Sequence, residues 1–318
     1  MTSTYLRWLG DQLSVAAPDV RRAAGRFDPD LVIGYATGYG PGAMSAFVRS
    51  LRAVYGGRIA LYVDPGRPDV DELLEAHGVD RLTLGRNGGG WRPHPAVERF
   101  GAYLSGLDAY PEARRVLMTD VRDVVFQDHP LQEPVAELEF YPESGDDTLA
   151  EDPKNLAWLR RLVGEPIADQ LLGRTCICAG TIIGHADEVR RLCRLLLFLG
   201  GIPRSGHGGA FGADQAACNL SVYLGLCPGE VRPNFTRVAT LQRTPSSSLR
   251  VEGGRLLNPD GSISPIVHKY DRHPVLLAAV EARWSPDFPA GLAPTRRPVS
   301  SFFAHAARGI GKRLPELR

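Results

Sequence analysis

The sequence predicts an α/β protein: a Rossmann-like mixed, mostly parallel sheet flanked by helices. Three observations carry that expectation. Strand-like apolar runs alternate with helical segments between residues 30 and 84. A glycine-rich turn follows the first of those runs. A further strand, Arg115–Thr119, ends in a cluster of acids, and in open α/β sheets that edge is where ligands bind.

Taken in order, Asp30-Leu31-Val32-Ile33-Gly34-Tyr35 reads as the first strand, because apolar and β-branched residues run without interruption. Met44–Val54 has helical periodicity, with Met44, Phe47, Val48 and Leu51 on one face. Arg58–Val63 is a second strand stopped by Asp64-Pro65-Gly66, Asp69–His77 a helix and Asp80–Leu84 a short third strand. The pattern β-α-β-α-β calls for helices on both faces of a parallel sheet. Pro95–Leu107 is a helix and Arg115–Thr119 the fourth strand. Pro130–Asp152 reads as irregular and acidic, Leu156–Leu172 as helical turns, and Thr175–Gly184 as a strand with a glycine break. Asp187–Leu199 and Asp214–Leu224 are helices on either side of the glycine-rich stretch Gly200–Gly212. Val251–Leu257 followed by Asn258-Pro259-Asp260-Gly261 suggests a late hairpin. Residues 1–28 form a helical N-terminal extension, 29–288 the main domain, and 289–318 a Pro-rich linker with a basic tail.

Composition limits the function classes. Of 318 residues, 43% are apolar, enough for a substantial core, and the net charge of +1 gives no basic excess for nucleic acid. Met1–Leu13 lacks the apolar h-region of a signal peptide, so a cytoplasmic location is expected. The five cysteines, Cys176, Cys178, Cys193, Cys218 and Cys227, form no C-x-x-C pair and read as small buried thiols.

The segment Thr119-Asp120-Val121-Arg122-Asp123-Val124-Val125-Phe126-Gln127 delivers two carboxylates at a strand's C-terminal end. Two carboxylates there suit a hard divalent cation, which could neutralise a diphosphate leaving group. Alternatively, Asp120 caps a helix and Asp123 supports its first turn. Asp214-Gln215-Ala216-Ala217-Cys218-Asn219 follows the glycine-rich stretch, and Asp214 there also fits an ordinary N-cap.

Residues 119–127 resemble the T-D-x-R-D-V-x-F-Q segment of nucleotide-diphospho-sugar transferases, at the place where GT-A enzymes carry their D-x-D signature. Cys178-Ala179-Gly180-Thr181-Ile182-Ile183-Gly184 resembles their N-A-G-apolar-apolar-G stretch, with Cys178 in place of Asn. Residues 214–219 resemble the D-Q-x-x-x-N element of retaining members such as glycosyltransferase family 8, although the H-x-x-G-x-x-K-P-W pattern of that family is absent. The resemblance implies a GT-A catalytic domain over 29–288 and a hexosyltransferase that uses a nucleotide-diphosphate sugar donor with Mn²⁺ or Mg²⁺. It implies a metal shell of Asp120, Asp123 and His268, with Asp120 also touching the donor. Tyr35, Ala36 and Thr37 would contact the nucleoside, Gly180 would admit the donor sugar, and Lys269 or Arg272 would hold the diphosphate. Asp214 and Gln215 would lie beside the transferred sugar, and Ser205–Gly209 would form a lid. The acceptor, a glycan, lipid-linked or small molecule, and the stereochemical course stay open.

Other readings remain. Gly38-Tyr39-Gly40-Pro41-Gly42-Ala43 fits G-x-G-x-x-A, with Asp64 for a ribose, as in an NAD(P)-dependent oxidoreductase. A metal-dependent phosphoesterase would use Asp120, Asp123, His207 and His268. A binding module with a decayed site is the non-enzymatic alternative. The tail 300–318, with Phe302, Phe303, Ile310 and Leu314 among basic residues, reads either as a helix docked on the domain or as a weak membrane-surface contact.

Overall fold

The computed structural model describes residues 17–25, 29–85, 93–145, 147–201 and 208–288. The basic tail, the Pro-rich linker, most of the N-terminal extension and Ser205–His207 of the expected lid lie outside these residues.

The central sheet contains eight strands. They are β1 (Asp19–Arg21), β2 (Leu31–Tyr35), β3 (Arg58–Tyr62), β4 (Asp80–Thr83), β5 (Arg115–Thr119), β7 (Leu138–Pro142), β8 (Ile177–His185) and β9 (Glu230–Val231). Their order is β1-β4-β3-β2-β5-β8-β7-β9. The run β4-β3-β2-β5 is parallel throughout, whereas β8 lies antiparallel to both β5 and β7. The sheet is therefore mixed and mostly parallel. The chain moves outward from β2 to β3 and β4, then returns to the other side of β2 as β5, which opens a crevice between the C-terminal ends of β2 and β5.

Alternation along the strands sets the two faces. Leu31 and Ile33 of β2 pack with Phe100, Tyr103 and Leu107 of α3 (Pro95–Asp108) and with Leu192 and Leu196 of α6 (Ala186–Gly200). Val32 faces the other way, onto Phe47, Val48 and Leu51 of α1 (Pro41–Val54) and Leu73 and Leu74 of α2 (Pro68–Ala76). A satellite core joins α4 (Pro153–Val163) and the short α5 (Glu165–Ala168) to α7 (Ala213–Tyr223) through Leu159, Ala168 and Leu220.

A second sheet has the order β10-β13-β6, with β6 (Val124–Phe126) antiparallel and β10 (Val238–Thr240) parallel to β13 (Ile266–His268). Val125 and Val267 meet Leu276 and Val280 of α8 (Pro274–Trp284) on its outer face.

Three expectations are corrected. The described part of the N-terminal extension is not helical: β1 pairs antiparallel with β4, so the central sheet begins before residue 29. The segment Pro130–Asp152 is not simply irregular, because it contains β7, an interior strand between β8 and β9. Glu139 hid this strand from the sequence pattern; it is buried and neutralised by Arg237, with Tyr141 Oη donating to it at 2.7 Å. The late hairpin, β11 (Arg250–Glu252) and β12 (Arg255–Leu257), turns at Gly253-Gly254 rather than at Asn258–Gly261, which forms a separate turn.

Candidate metal centre and the cavity around it

The second sheet brings the acids and the histidine together. Its register places His268 opposite Val124, immediately after Asp123. The Lys269 N–H then donates to the Asp123 carbonyl at 2.7 Å, extending the pairing by one step. From the other side, the Asp120 N–H donates to the Gly180 carbonyl at 2.7 Å, which fixes the end of β5 against β8. The alternative in which Asp120 caps a helix does not hold, since the residues after it lead into β6.

Asp120, Asp123 and His268 each present one ligand atom within 4.8 Å of the others. His268 Nε2 lies 3.5 Å from Asp120 Oδ2 and 3.8 Å from Asp123 Oδ1. These spacings are within about an ångström of the cis spacing that an octahedral cation with ~2.1 Å bonds imposes. Nε2 is buried and has no hydrogen-bond partner among the described residues, a costly state for a polar atom unless something else uses its lone pair. The other ring nitrogen, Nδ1, lies 3.4 Å from Thr181 Oγ1 and 3.9 Å from Cys178 Sγ. With a proton on Nδ1 donated to Thr181, the Nε2 lone pair points at the two carboxylates. The three residues, offering one imidazole nitrogen and two carboxylate oxygens, fit a divalent cation.

The charges around the cluster are uneven. Burial disfavours ionisation of Asp120, but Arg99, His268 and Lys269 outweigh it and hold its carboxyl below the ordinary range. Burial pushes Asp123 upward; His268 opposes this, while Asp120 and Asp271 add to it. Burial also raises Asp214 against the pull of Arg99.

Gly180 is a requirement of this geometry. A Cβ there would come closer than 3.0 Å to both His268 Cε1 and Asp120 Oδ2. Gly180→Ala is expected to weaken Mn²⁺ binding about tenfold or more, comparable with losing a group that orients a ligand. Isothermal titration with Mn²⁺ checks this, and unaltered affinity would mean that the cluster does not depend on that close approach.

The cluster lies on a cavity of about 320 Å³ lined by residues from many elements. Tyr35, Thr37, Asp120, Asp123, Gly180, Asp214, Gln215, Lys269 and Arg272 all line it, so the structure brings together most of the sequence-derived candidates. His268, fully buried, does not line it, and neither does Ala36. Ala36 is fully buried, its N–H donates to the Tyr62 carbonyl and its own carbonyl accepts from the Tyr39 N–H, so neither backbone group is available to a ligand. The Tyr35 hydroxyl donates to Glu98 at 3.0 Å.

Asp214 does not cap its helix. Gly212 is the N-cap residue, and the Asp214 carboxylate instead accepts from Arg99 Nη2 at 2.8 Å. The same guanidinium pairs with Asp120 and donates to the Ala179 carbonyl. Gln215 is engaged at both ends, accepting from the Ala179 N–H and donating to Asn155. Lys269 is ion-paired to Glu143, so its ammonium is already matched. Arg272 is half-exposed and is the more available cation of that pair.

Sequence reasoning missed Arg99 and Glu143. The clue to Arg99 was the charged dipeptide Glu98-Arg99 inside an otherwise apolar helix, both members of which are buried. Glu143 immediately follows β7, the strand the sequence pattern did not expose, and its buried Oε2 has no hydrogen-bond partner among the described residues.

The glycine fingerprint of the oxidoreductase reading is accounted for locally. Asp64, which would bind a ribose, accepts from the Gly38 N–H at 2.7 Å. The fifth position of an all-parallel dinucleotide sheet is taken here by the antiparallel β8. His207 of the phosphoesterase reading lies outside the described residues. All five cysteines are free and buried, as their spacing suggested.

No protein-family model matches the chain, and no curated protein matches it. Fold and site together define a mixed α/β protein with a candidate metal centre at the topological switch point of its sheet. Among the described residues no helix is long and apolar enough to cross a membrane.

Proposed function

We propose that the protein is a metal-dependent glycosyltransferase of the GT-A type that moves a hexose from a nucleotide-diphosphate donor to an acceptor hydroxyl. The observation that carries this reading is the orphaned Nε2 of His268, aimed at Asp120 and Asp123 in a cavity that also holds Asp214 and Glu143. A divalent cation held by Asp120, Asp123 and His268 would supply Lewis-acid neutralisation of the diphosphate.

The chain's own residues do the remaining work. Arg272 meets diphosphate oxygens, and the unpartnered Oε2 of Glu143 accepts from a hydroxyl of the transferred sugar. Tyr35 and Thr37 border the nucleoside. In the transfer, the bond from the anomeric carbon to the diphosphate oxygen breaks and its electron pair leaves with the diphosphate. The acceptor oxygen bonds to that carbon. The Arg99 contact favours a course in which Asp214 orients the sugar and a departing phosphate oxygen takes the acceptor proton. Were Asp214 instead the general base, the product would carry inverted configuration, which NMR of the product distinguishes.

A thermal-shift panel of UDP, GDP, CMP and NAD, each with and without Mn²⁺, tests the donor class. A ligand at about 100 times its Kd stabilises the native state by about 2.7 kcal/mol. One nucleoside diphosphate is expected to raise Tm only when Mn²⁺ is present. Stabilisation by NAD without metal would instead support the oxidoreductase.

A further inference from the structure

We propose that Phe211, held by His94, Trp158 and Lys154, forms the acceptor subsite, and that the acceptor is a carbohydrate whose pyranose ring lies against Phe211. The proposal rests on the glycosyl-transfer reading and names its second substrate.

Six large apolar side chains are strongly exposed among the described residues, and Phe211, at 53%, is the one of them that lines the cavity. Leaving such a ring in water is unfavourable, and neighbouring groups hold it there. The Phe211 ring meets Trp158 at 5.3 Å and 89°, and His94 at 5.1 Å and 68°. His94 is itself fixed: its N–H donates to the Gly209 carbonyl at 2.7 Å, and its Nδ1 accepts from the Ala96 N–H at the start of α3.

Gly212 sets the direction of the turn. Its φ is +87°, and a Cβ there would come closer than 3.0 Å to the Trp158 ring. The chain thus reverses tightly against Trp158. Phe211 stays at the mouth of the cavity, while Asp214, three residues on in α7, is buried inside. An acceptor resting on Phe211 is placed beside the group that orients the sugar to be transferred.

The surrounding chemistry selects a sugar. A pyranose presents a face of C–H groups of slight positive charge, which suits the negative face of an aromatic ring, and a rim of hydroxyls. Lys154 Nζ lies 4.8 Å from the Trp158 ring centre and 5.6 Å from that of Phe211. Its side chain is exposed, and its ammonium can donate to those hydroxyls.

The test uses the full chain with Mn²⁺ and the nucleoside diphosphates of the thermal-shift panel. Saturation-transfer NMR is run with the methyl glycosides of glucose, galactose and N-acetylglucosamine as probes. At least one glycoside is expected to bind through its ring C–H protons. Phe211→Ala should weaken it tenfold or more, while Phe211→Tyr should retain it and the diphosphate thermal shift should be unchanged in both. Equal glycoside binding by Phe211→Ala overturns the proposal. So does failure of every glycoside to bind a chain whose diphosphate response is intact. Loss of the diphosphate response in Phe211→Ala also overturns it, because the platform would then hold the donor's base. Glycosides bound at Phe211 in a chain with no diphosphate response would leave this site standing and overturn the transfer reading.

Discussion

Replacing Asp123 by alanine is expected to abolish metal-dependent turnover while the chain stays folded. Asp123 is buried, and among the described residues its carboxylate has one ion-pair partner, His268 at 3.8 Å. Burial, Asp120 and Asp271 all push its carboxyl toward the neutral form. A structural carboxylate would be matched by donors; apart from His268 this one has none among the described residues, and a cation held there would supply its partner. Removing it therefore takes an unfavourable charge out of the metal-free fold, and Tm without metal should hold or rise. With metal the effect reverses. Losing a ligand forfeits several kcal/mol of charge stabilisation at the leaving group, about 10³-fold or more in rate. Calorimetric titration with Mn²⁺ and donor turnover check the two halves separately. Wild-type Mn²⁺ affinity and turnover in Asp123→Ala would remove the metal centre from the account.

The contrast between Asp123 and Arg99 shows what was legible in the sequence. Asp120 and Asp123 stood out because they follow an apolar strand, and parallel strands deliver ligands at their C-terminal ends. The alternating segments from 30 to 84 were legible for a similar reason: β2 and most of β3 are continuously apolar because both faces are covered. Local pattern said little of β6, β10 and β13, which contribute three residues each and acquire meaning by pairing, β6 with β13 across more than a hundred positions. The pairing of Val124 with His268 turns a lone histidine into a metal-ligand candidate. Arg99 escaped because a buried charge in a helix has no periodic signature; its role exists only through Asp120 and Asp214, which reach it from other elements.

Arg99→Met is expected to cause the largest loss of stability of any single substitution at the site. The guanidinium is nine-tenths buried and joins Asp120, Asp214 and the Ala179 carbonyl. Methionine fills similar volume, so the loss is chiefly of charge and hydrogen bonds, not of packing. Asp214 is left buried without its partner, a situation that costs about 3–5 kcal/mol. At roughly 2–4 °C per kcal/mol for a chain of this size, Tm should fall by about 6–20 °C. The loss should depend on pH with a definite sign. Burial already raises the Asp214 carboxyl in the native fold, and without Arg99 it rises further. A raised carboxyl favours the folded state below the ordinary Asp range, and that contribution is lost as pH climbs through the folded value. The Tm difference between the variant and the unaltered chain should therefore narrow as pH is lowered from about 8 to about 5. Asp214→Asn combined with Arg99→Met should recover much of the stability at neutral pH, because the stranded charge is gone. A variant whose Tm deficit is constant across pH, and is not relieved in the double variant, would show that a stranded Asp214 charge is not the source of the loss. A deficit that narrows and is relieved would identify this guanidinium as the charge that allows Asp120 and the buried Asp214 to share one cavity.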